Sequence, residues 1–194
     1  MDIEKVVLEG LRVRLEPLAQ QHAAGLAAVI EDGELWKIPV TVVPHPNDLD
    51  KFFDAAETAF QQRRELAFVT IDKISGAIVG STRFRCIEAA HKRLEIGFTF
   101  IAQSRQRSYI NTEAKYLMLR HAFEIWQCNR VELLTDVLNE KSRNAITRIG
   151  AQQEGILRSH MIMRDGRVRD SVLFSIVAHD WPTIKPKLAQ QIQR

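Results

Sequence analysis

Cysteine is scarce. Only Cys86 and Cys128 occur in 194 residues, so no disulfide framework is expected, and a chain of this length can bury a core without one. Histidine is thinly spread. His22, His45, His91, His121, His160 and His179 never fall at the spacing of a metal-binding pair, so no metal site is expected. No apolar run reaches the ~18 residues of a membrane-spanning helix. The opening MDIEKVVLEGLRVRLE lacks the apolar centre of a secretory signal, and the expected location is the cytoplasm, with no membrane partner. Internal repeats and linkers are missing too, so one domain is expected over residues 1–194.

An excess of one charge is also lacking. Twenty-seven Lys and Arg face 24 Asp and Glu, and the two signs are interleaved. The densest basic stretch, Arg164–Arg169, is broken by Asp165 and Gly166 and reads as a hairpin turn, so nucleic acid is not an expected partner.

What is present is a run of well-marked elements. Leu11, Val13 and Leu15 alternate with Arg12 and Arg14, predicting a half-buried strand over Leu8–Leu15. Pro17 precedes a helical stripe of Leu18, His22, Leu26 and Val29. After an irregular stretch with Trp36, Pro39, Pro44 and Pro46, Asn47 is the expected cap of a helix running to about Arg64. Strands are predicted at Leu66–Ile71, Ala77–Cys86 and Arg93–Ile101. An amphipathic helix follows over about Thr112–Trp126, with Ala114, Leu117, Met118, Ala122 and Ile125 facing inward. A short strand, Val131–Val137, leads to a helix over Asn139–Ile149 that Gly150 ends. Two strands near Gln153–Met163 and Val168–Ala178 flank the Asp165–Gly166 turn. A terminal helix is expected after Trp181–Pro182. The fold class is α/β (α+β), a mixed, mostly antiparallel central sheet of about seven strands with flanking helices.

Three stretches carry a family resemblance: LEIGFTF at 94–100, SRQRSYINTEAKYLMLRHAFE at 104–124 and DVLNEKSRNAITRIGAQQEG at 136–155. Their order and spacing resemble the GNAT N-acetyltransferases, in particular the branch of ribosomal-protein N-terminal acetyltransferases, over nearly the whole chain. The resemblance implies acetyl-CoA as cofactor and a primary amine as acceptor, either a small molecule or a protein N-terminus. A homodimer is compatible with the family, although no sequence feature specifies one. A member that binds CoA without turnover, or that serves as a protein-interaction module, is the rival reading.

The resemblance also implies a site. Backbone N–H groups of Phe98, Thr99, Phe100 and Ile101, where the strands splay in this fold, would hold the thioester carbonyl. The turn before the long helix would present N–H groups to the pyrophosphate at a helix N-terminus. Members commonly carry an arginine or glutamine and two glycines there, because glycine permits positive φ and close approach. Here the glycine positions fall on Arg107 and Tyr109, while Ile110, Asn111 and Thr112 match. Arg105 and Arg107 are candidate phosphate contacts, with Ser108, Asn111 and Thr112 adding hydrogen bonds; equally, both arginines are ordinary surface charges. Asn139 is a candidate for the pantetheine arm and Ser142 for protonating the thiolate, yet both also suit an ordinary helix start. The tyrosine some members carry on that helix falls on Ile146. Glu95 is the candidate base for the amine; structural pairing with Arg12, Arg14 or Arg83 is the alternative. Trp36, Arg83, Phe84 and His160 are candidate acceptor contacts.

Overall fold

The computed structural model describes residues 1–193. The Leu8–Leu15 segment, expected as one strand, is two. β1 (Leu8–Glu9) and β2 (Val13–Pro17) pair antiparallel, with Leu8 opposite Leu15. Leu11 sits in the turn between them and is 66% exposed. The turn is fixed from outside the segment: the buried Glu113 carboxylate accepts the N–H groups of Arg12 and Val13 at 2.8 and 3.3 Å. Nothing local announces such a partner.

The remaining elements follow the expected order. They are α1 (Ala23–Glu31), α2 (Leu49–Gln61), β3 (Leu66–Asp72), β4 (Ala77–Glu88), β5 (Arg93–Ile101), α3 (Tyr109–Arg120), β6 (Arg130–Asp136), α4 (Glu140–Arg148), β7 (Gln152–Ile162), β8 (Val168–Val177) and α5 (Trp181–Gln193). Among the described residues the eight strands form one sheet in the order β1-β2-β3-β4-β5-β6-β8-β7. All neighbours are antiparallel except β5 and β6. The mixed sheet with flanking helices is therefore as expected, with eight strands in place of about seven.

Two cores cover the two faces. The larger joins Leu94 and Ile96 of β5, Val131 and Leu133 of β6, and Val172, Phe174 and Ile176 of β8 to α3 and α5. The smaller packs Leu26, Val29, Leu49 and Phe53 of α1 and α2 on Val69 and Phe100, and draws none of its buried members from β6, β7 or β8. The opposite face of those three strands is polar, and we call it, with the adjoining part of β4 and β5, the front face.

Two helix boundaries depart from expectation. Asn47 is not the cap of α2: His45 caps a short 3-10 turn, Pro46–Asp48, by accepting from Asn47 N–H at 3.1 Å, and α2 then starts at Leu49. The long helix begins earlier, at Tyr109, and ends in a π-turn over His121–Ile125. That turn swings Ile125 outward to 69% exposure and buries Phe123 and Trp126 instead.

Candidate active site

β5 and β6 run parallel for only three residue pairs, Arg93–Arg130 to Glu95–Glu132. Beyond Glu95 the strands diverge. On the other edge of β5 the register with β4 shifts between Ser81 and Arg83, so an extra residue lies opposite Thr82. This is a β-bulge, and Phe98 takes the left-handed φ of +47° within it. The bulge changes which side chains face which way. Leu94 and Ile96 enter the large core, Gly97 and Phe98 both lie on the front with Glu95, and the exposed Thr99 turns its hydroxyl to Lys115 of α3.

The front of this opening holds a charged cluster. Glu95 is 6% exposed, and its Oε1 accepts from Arg85 at 3.4 Å. None of the expected arginines is its partner: Arg83 pairs with Glu65 at 2.9 Å, while Arg12 and Arg14 lie on β2 and its turn. Burial pushes the Glu95 carboxyl above its ordinary value, Arg85 works against this, and Glu132 and Glu65 add to it. Phe98 receives both guanidiniums on its ring, Arg85 at 4.4 Å and Arg83 at 5.1 Å. Gly97 leaves room for this pair, since a Cβ there would meet Glu95 Oε1 at 2.5 Å and Arg85 Cδ at 2.8 Å and would displace both side chains.

At the far end of β5, the turn before α3 is capped by its own serine and carries two arginines. Ser108 caps the helix, with its hydroxyl accepting from Ile110 N–H and donating to Arg105 C=O at 2.7 Å. Arg107 adopts φ +58°, the left-handed conformation a glycine would supply, so the loop turns as it would with glycine. Arg105 is half exposed and lies 3.6 Å from Asp72. The Tyr109 hydroxyl donates to the same Asp72 at 2.6 Å; burial and that carboxylate raise its pKa. Asn111 and Thr112 are in the first turn of α3, and Ile110 is buried in the core, leaving only its backbone available. A non-glycine residue at positive φ costs ~1 kcal/mol. Arg107→Gly is therefore expected to raise stability by up to about 1 kcal/mol, net of the entropy glycine loses, and to weaken CoA about two- to fivefold through the lost cation. Melting and a CoA titration check this, and unchanged CoA affinity would remove Arg107 from the phosphate site.

Facing this turn across the splay is the start of α4. Asn139 Oδ1 accepts from Ser142 N–H at 3.0 Å, and Asn139 Nδ2 points to Val40 C=O at 3.5 Å. Ser142 is half buried and its hydroxyl bonds to no described residue. The segment containing Trp36 and Val40 lies over the front, strapped to the β7–β8 hairpin by Arg164, which donates to the C=O groups of Trp36 and Val43, and by Arg167, which donates to Pro39 C=O. Trp36 packs edge-on to His45 at 5.2 Å and rests on the smaller core. His160 is exposed beside the Ser171 hydroxyl at 3.0 Å, re-aimed by a bulge between Leu157 and Met161. Phe84 is a correction. It is fully buried in the large core, edge-on to Phe68 and tilted against Trp126, because alternation sends it to the face opposite Arg83 and Arg85. A cleft of about 260 Å³ lined by Glu140, Arg143, Gln153 and Phe174, among others, lies on the other side of α4 and shares no residue with the front face.

The acetyltransferase (GNAT) domain family matches residues 12–152. The chain belongs to the GNAT acetyltransferases. A GNAT structure from Brucella melitensis, described as a GCN5-related N-acetyltransferase, superposes with a TM-score of 0.88 at 31% identity, covering 97% of this chain and 86% of that one. YdaF of Bacillus subtilis (strain 168), a candidate ribosomal N-acetyltransferase, is 31% identical over 106 residues, 55% of this chain and 57% of that protein. Mycobacterium smegmatis RimJ, solved in complex with CoA-disulfide, shares the fold with a TM-score of 0.81 at 24% identity, covering 95% and 91% of the two chains. No helix of the described residues is long and apolar enough to cross a membrane.

Within this GNAT site, three residues escape the sequence reading. Arg85 is the partner of Glu95, because the bulged register sets Arg85 directly opposite it. Arg169 is buried at 7% exposure on the front face; its spacing from Ser171 and Ser175, out of phase with Val172, Phe174 and Ile176, was the available signal. Lys115 is buried on the sheet side of α3, with Nζ 2.6 Å from Thr99 Oγ1 and 3.3 Å from Thr82 Oγ1. It lies in the apolar stripe, four residues before Leu119 and seven before Ala122. Glu113 has the opposite lesson: it belongs to the motif resemblance, yet its carboxylate ties down the β1–β2 turn.

Proposed function

We propose that the chain transfers an acetyl group from acetyl-CoA to a primary amine, as a single domain, by direct attack in a ternary complex. The observation that carries this reading is a buried carboxylate, Glu95, at the point where β5 and β6 part and directly before the bulge. Bound acetyl-CoA would supply the acyl group already activated as a thioester. The residues present suit it: a capped helix N-terminus, a left-handed turn carrying Arg105 and Arg107, and Asn139 across the opening.

Glu95 takes the proton of the attacking amine, directly or through one water, and its burial makes it a stronger base than a surface carboxylate. Backbone N–H groups between Phe98 and Ile101 face the oxygen on which charge develops. Ser142, whose hydroxyl has no protein partner among the described residues, protonates the departing thiolate. Arg83 and Arg85 hold Glu65, Glu95 and the Phe98 ring in place, and Trp36 and His160 stand on either side of the acceptor's path. No covalent intermediate is needed, so Cys86 and Cys128 have no role.

The test is a melting measurement with CoA and acetyl-CoA, followed by CoA release across an amine panel. Saturation at ~100 times the dissociation constant is expected to add about 2.7 kcal/mol, a rise of roughly 5–10 °C for a domain this size. Binding without acetyl-CoA consumption would make the chain a CoA-binding module instead. Binding of neither ligand would discard the reading.

A further inference from the structure

Arg169 lies near the start of β8, on the front face with Ser171. It is 7% exposed, yet its side chain makes no hydrogen bond or ion pair with any described residue, and its Nε is buried without an acceptor. A guanidinium has five donors, and removing it from water without acceptors is costly. Burial lowers its pKa, while Asp136 and Glu95 act in the opposite sense and Arg167 and Arg85 add to the lowering.

Those neighbours are already engaged. Arg83 pairs with Glu65, Arg85 with Glu95, and Arg167 with Asp136, whose other oxygen accepts Leu138 N–H. Glu132, beside Glu95, is likewise taken by Arg93 and Arg130, so each of these anions has a cation, and Arg169 is the guanidinium of the cluster with no ion-paired anion among the described residues. The sheet itself has no use for that charge, since a methionine or glutamine would occupy the same room without the desolvation cost. A ligand that brings a carboxylate completes the cluster, because a guanidinium receives one through two parallel hydrogen bonds.

We propose that Arg169 is a specificity-determining residue that receives a carboxylate carried by the acceptor, so that the acceptors are primary amines with a carboxylate close to the amino group. This rests on the reading that the amine approaches Glu95. The ammonium then meets Glu95 and the carboxylate meets Arg169, and the zwitterion adds no net charge. The carboxylate can be the α-carboxylate of a free amino acid or an acidic side chain just after a peptide N-terminus.

The experiment uses the full chain, acetyl-CoA and two acceptor pairs: alanine against alaninamide, and C-terminally amidated peptides beginning Ala-Glu against Ala-Gln. In one pair the acid is expected to exceed its amide by about ten- to a hundredfold in kcat/KM, and which pair responds identifies the source. Arg169→Gln is expected to erase that preference through KM and to melt no lower than the parent, an outcome a purely structural arginine would not give. Equal rates within both pairs, or an Arg169→Gln variant that keeps the preference, overturns the proposal. If no acceptor turns over, the Glu95 reading fails, and the same four compounds are compared as stabilisers of the CoA-bound protein. Stabilisation by an acid, lost in Arg169→Gln, keeps the carboxylate site; its absence overturns it.

Discussion

Glu95→Gln is expected to lower kcat/KM for amine acetylation by about 10²–10⁴-fold, the usual contribution of a positioned general base, while leaving acetyl-CoA binding intact. The glutamine keeps the shape and the contact with Arg85 but cannot accept the proton. Glu95 is held above its ordinary pKa chiefly by burial, so in the parent the lower limb of the pH–rate profile rises as pH climbs through that raised value. Below it the carboxyl is protonated and inactive as a base. Glu95→Gln removes this limb and leaves any limb belonging to the acceptor amine. Fold and chemistry separate cleanly, because a raised carboxyl pKa means the folded state is helped at low pH and loses that help as pH rises through the folded value. At neutral pH the variant is therefore expected to melt no lower than the parent. Parent-like turnover in Glu95→Gln would sink the assignment.

Lys115→Met is expected to stabilise the protein at pH 7 by roughly 2–4 kcal/mol. Burial takes the Lys115 amine from 10.5 to about 7, with no charged group contributing. That drop corresponds to about 5 kcal/mol of lost stability once the unfolded chain is fully protonated and the folded one resists, and stranding the Thr82 and Thr99 hydroxyls returns about 1–3 of it. Those hydroxyls still bond each other at 2.8 Å. The unfolded state binds more protons than the folded state between about pH 7 and 10.5, so stability gained from this group rises with pH across that window. Denaturant melts of parent and variant at pH 7 and 8.5, in which the thiols are common to both proteins, check the sign: the gap is expected to narrow at the higher pH. A variant less stable than the parent at pH 7 would show that the amine is better satisfied than two threonines imply. Lys115 reaches both sides of the bulge, Thr99 on β5 and Thr82 opposite it on β4, so what the costly amine holds is the shape of that bulge.

The long-range order of this fold was legible because its signals are periodic. Leu117, Met118 and Ala122 marked the stripe of α3, and Asp165–Gly166 the turn between β7 and β8. Asn139 with Gly150 bounded α4. What escaped was set by interruptions of period. Phe84, flanked by Arg83 and Arg85, belongs by alternation to the opposite face, but the attraction of an aromatic beside candidate site residues obscured this. The Glu95–Arg85 pairing depends on a register shifted by bulges, and no local pattern encodes it. Leu11 repeated the spacing of Val13 and Leu15 by chance, while Glu113, a hundred residues away, decided that the chain turns there. Arg107 shows the converse: it stands where members commonly carry glycine, and it takes the positive φ that glycine permits at modest cost.

The π-turn at His121–Ile125 acts as a phase adjuster between two helical stretches that answer to different neighbours. Up to Arg120 the helix is timed to the sheet; after the extra residue it is timed to Phe84, which tilts against Trp126, and to Trp181, which stacks on Phe123. A one-residue deletion there would not simply shorten a helix. It would rotate everything after it by about 100°, leaving the amino-acid composition of the core almost untouched and its arrangement lost.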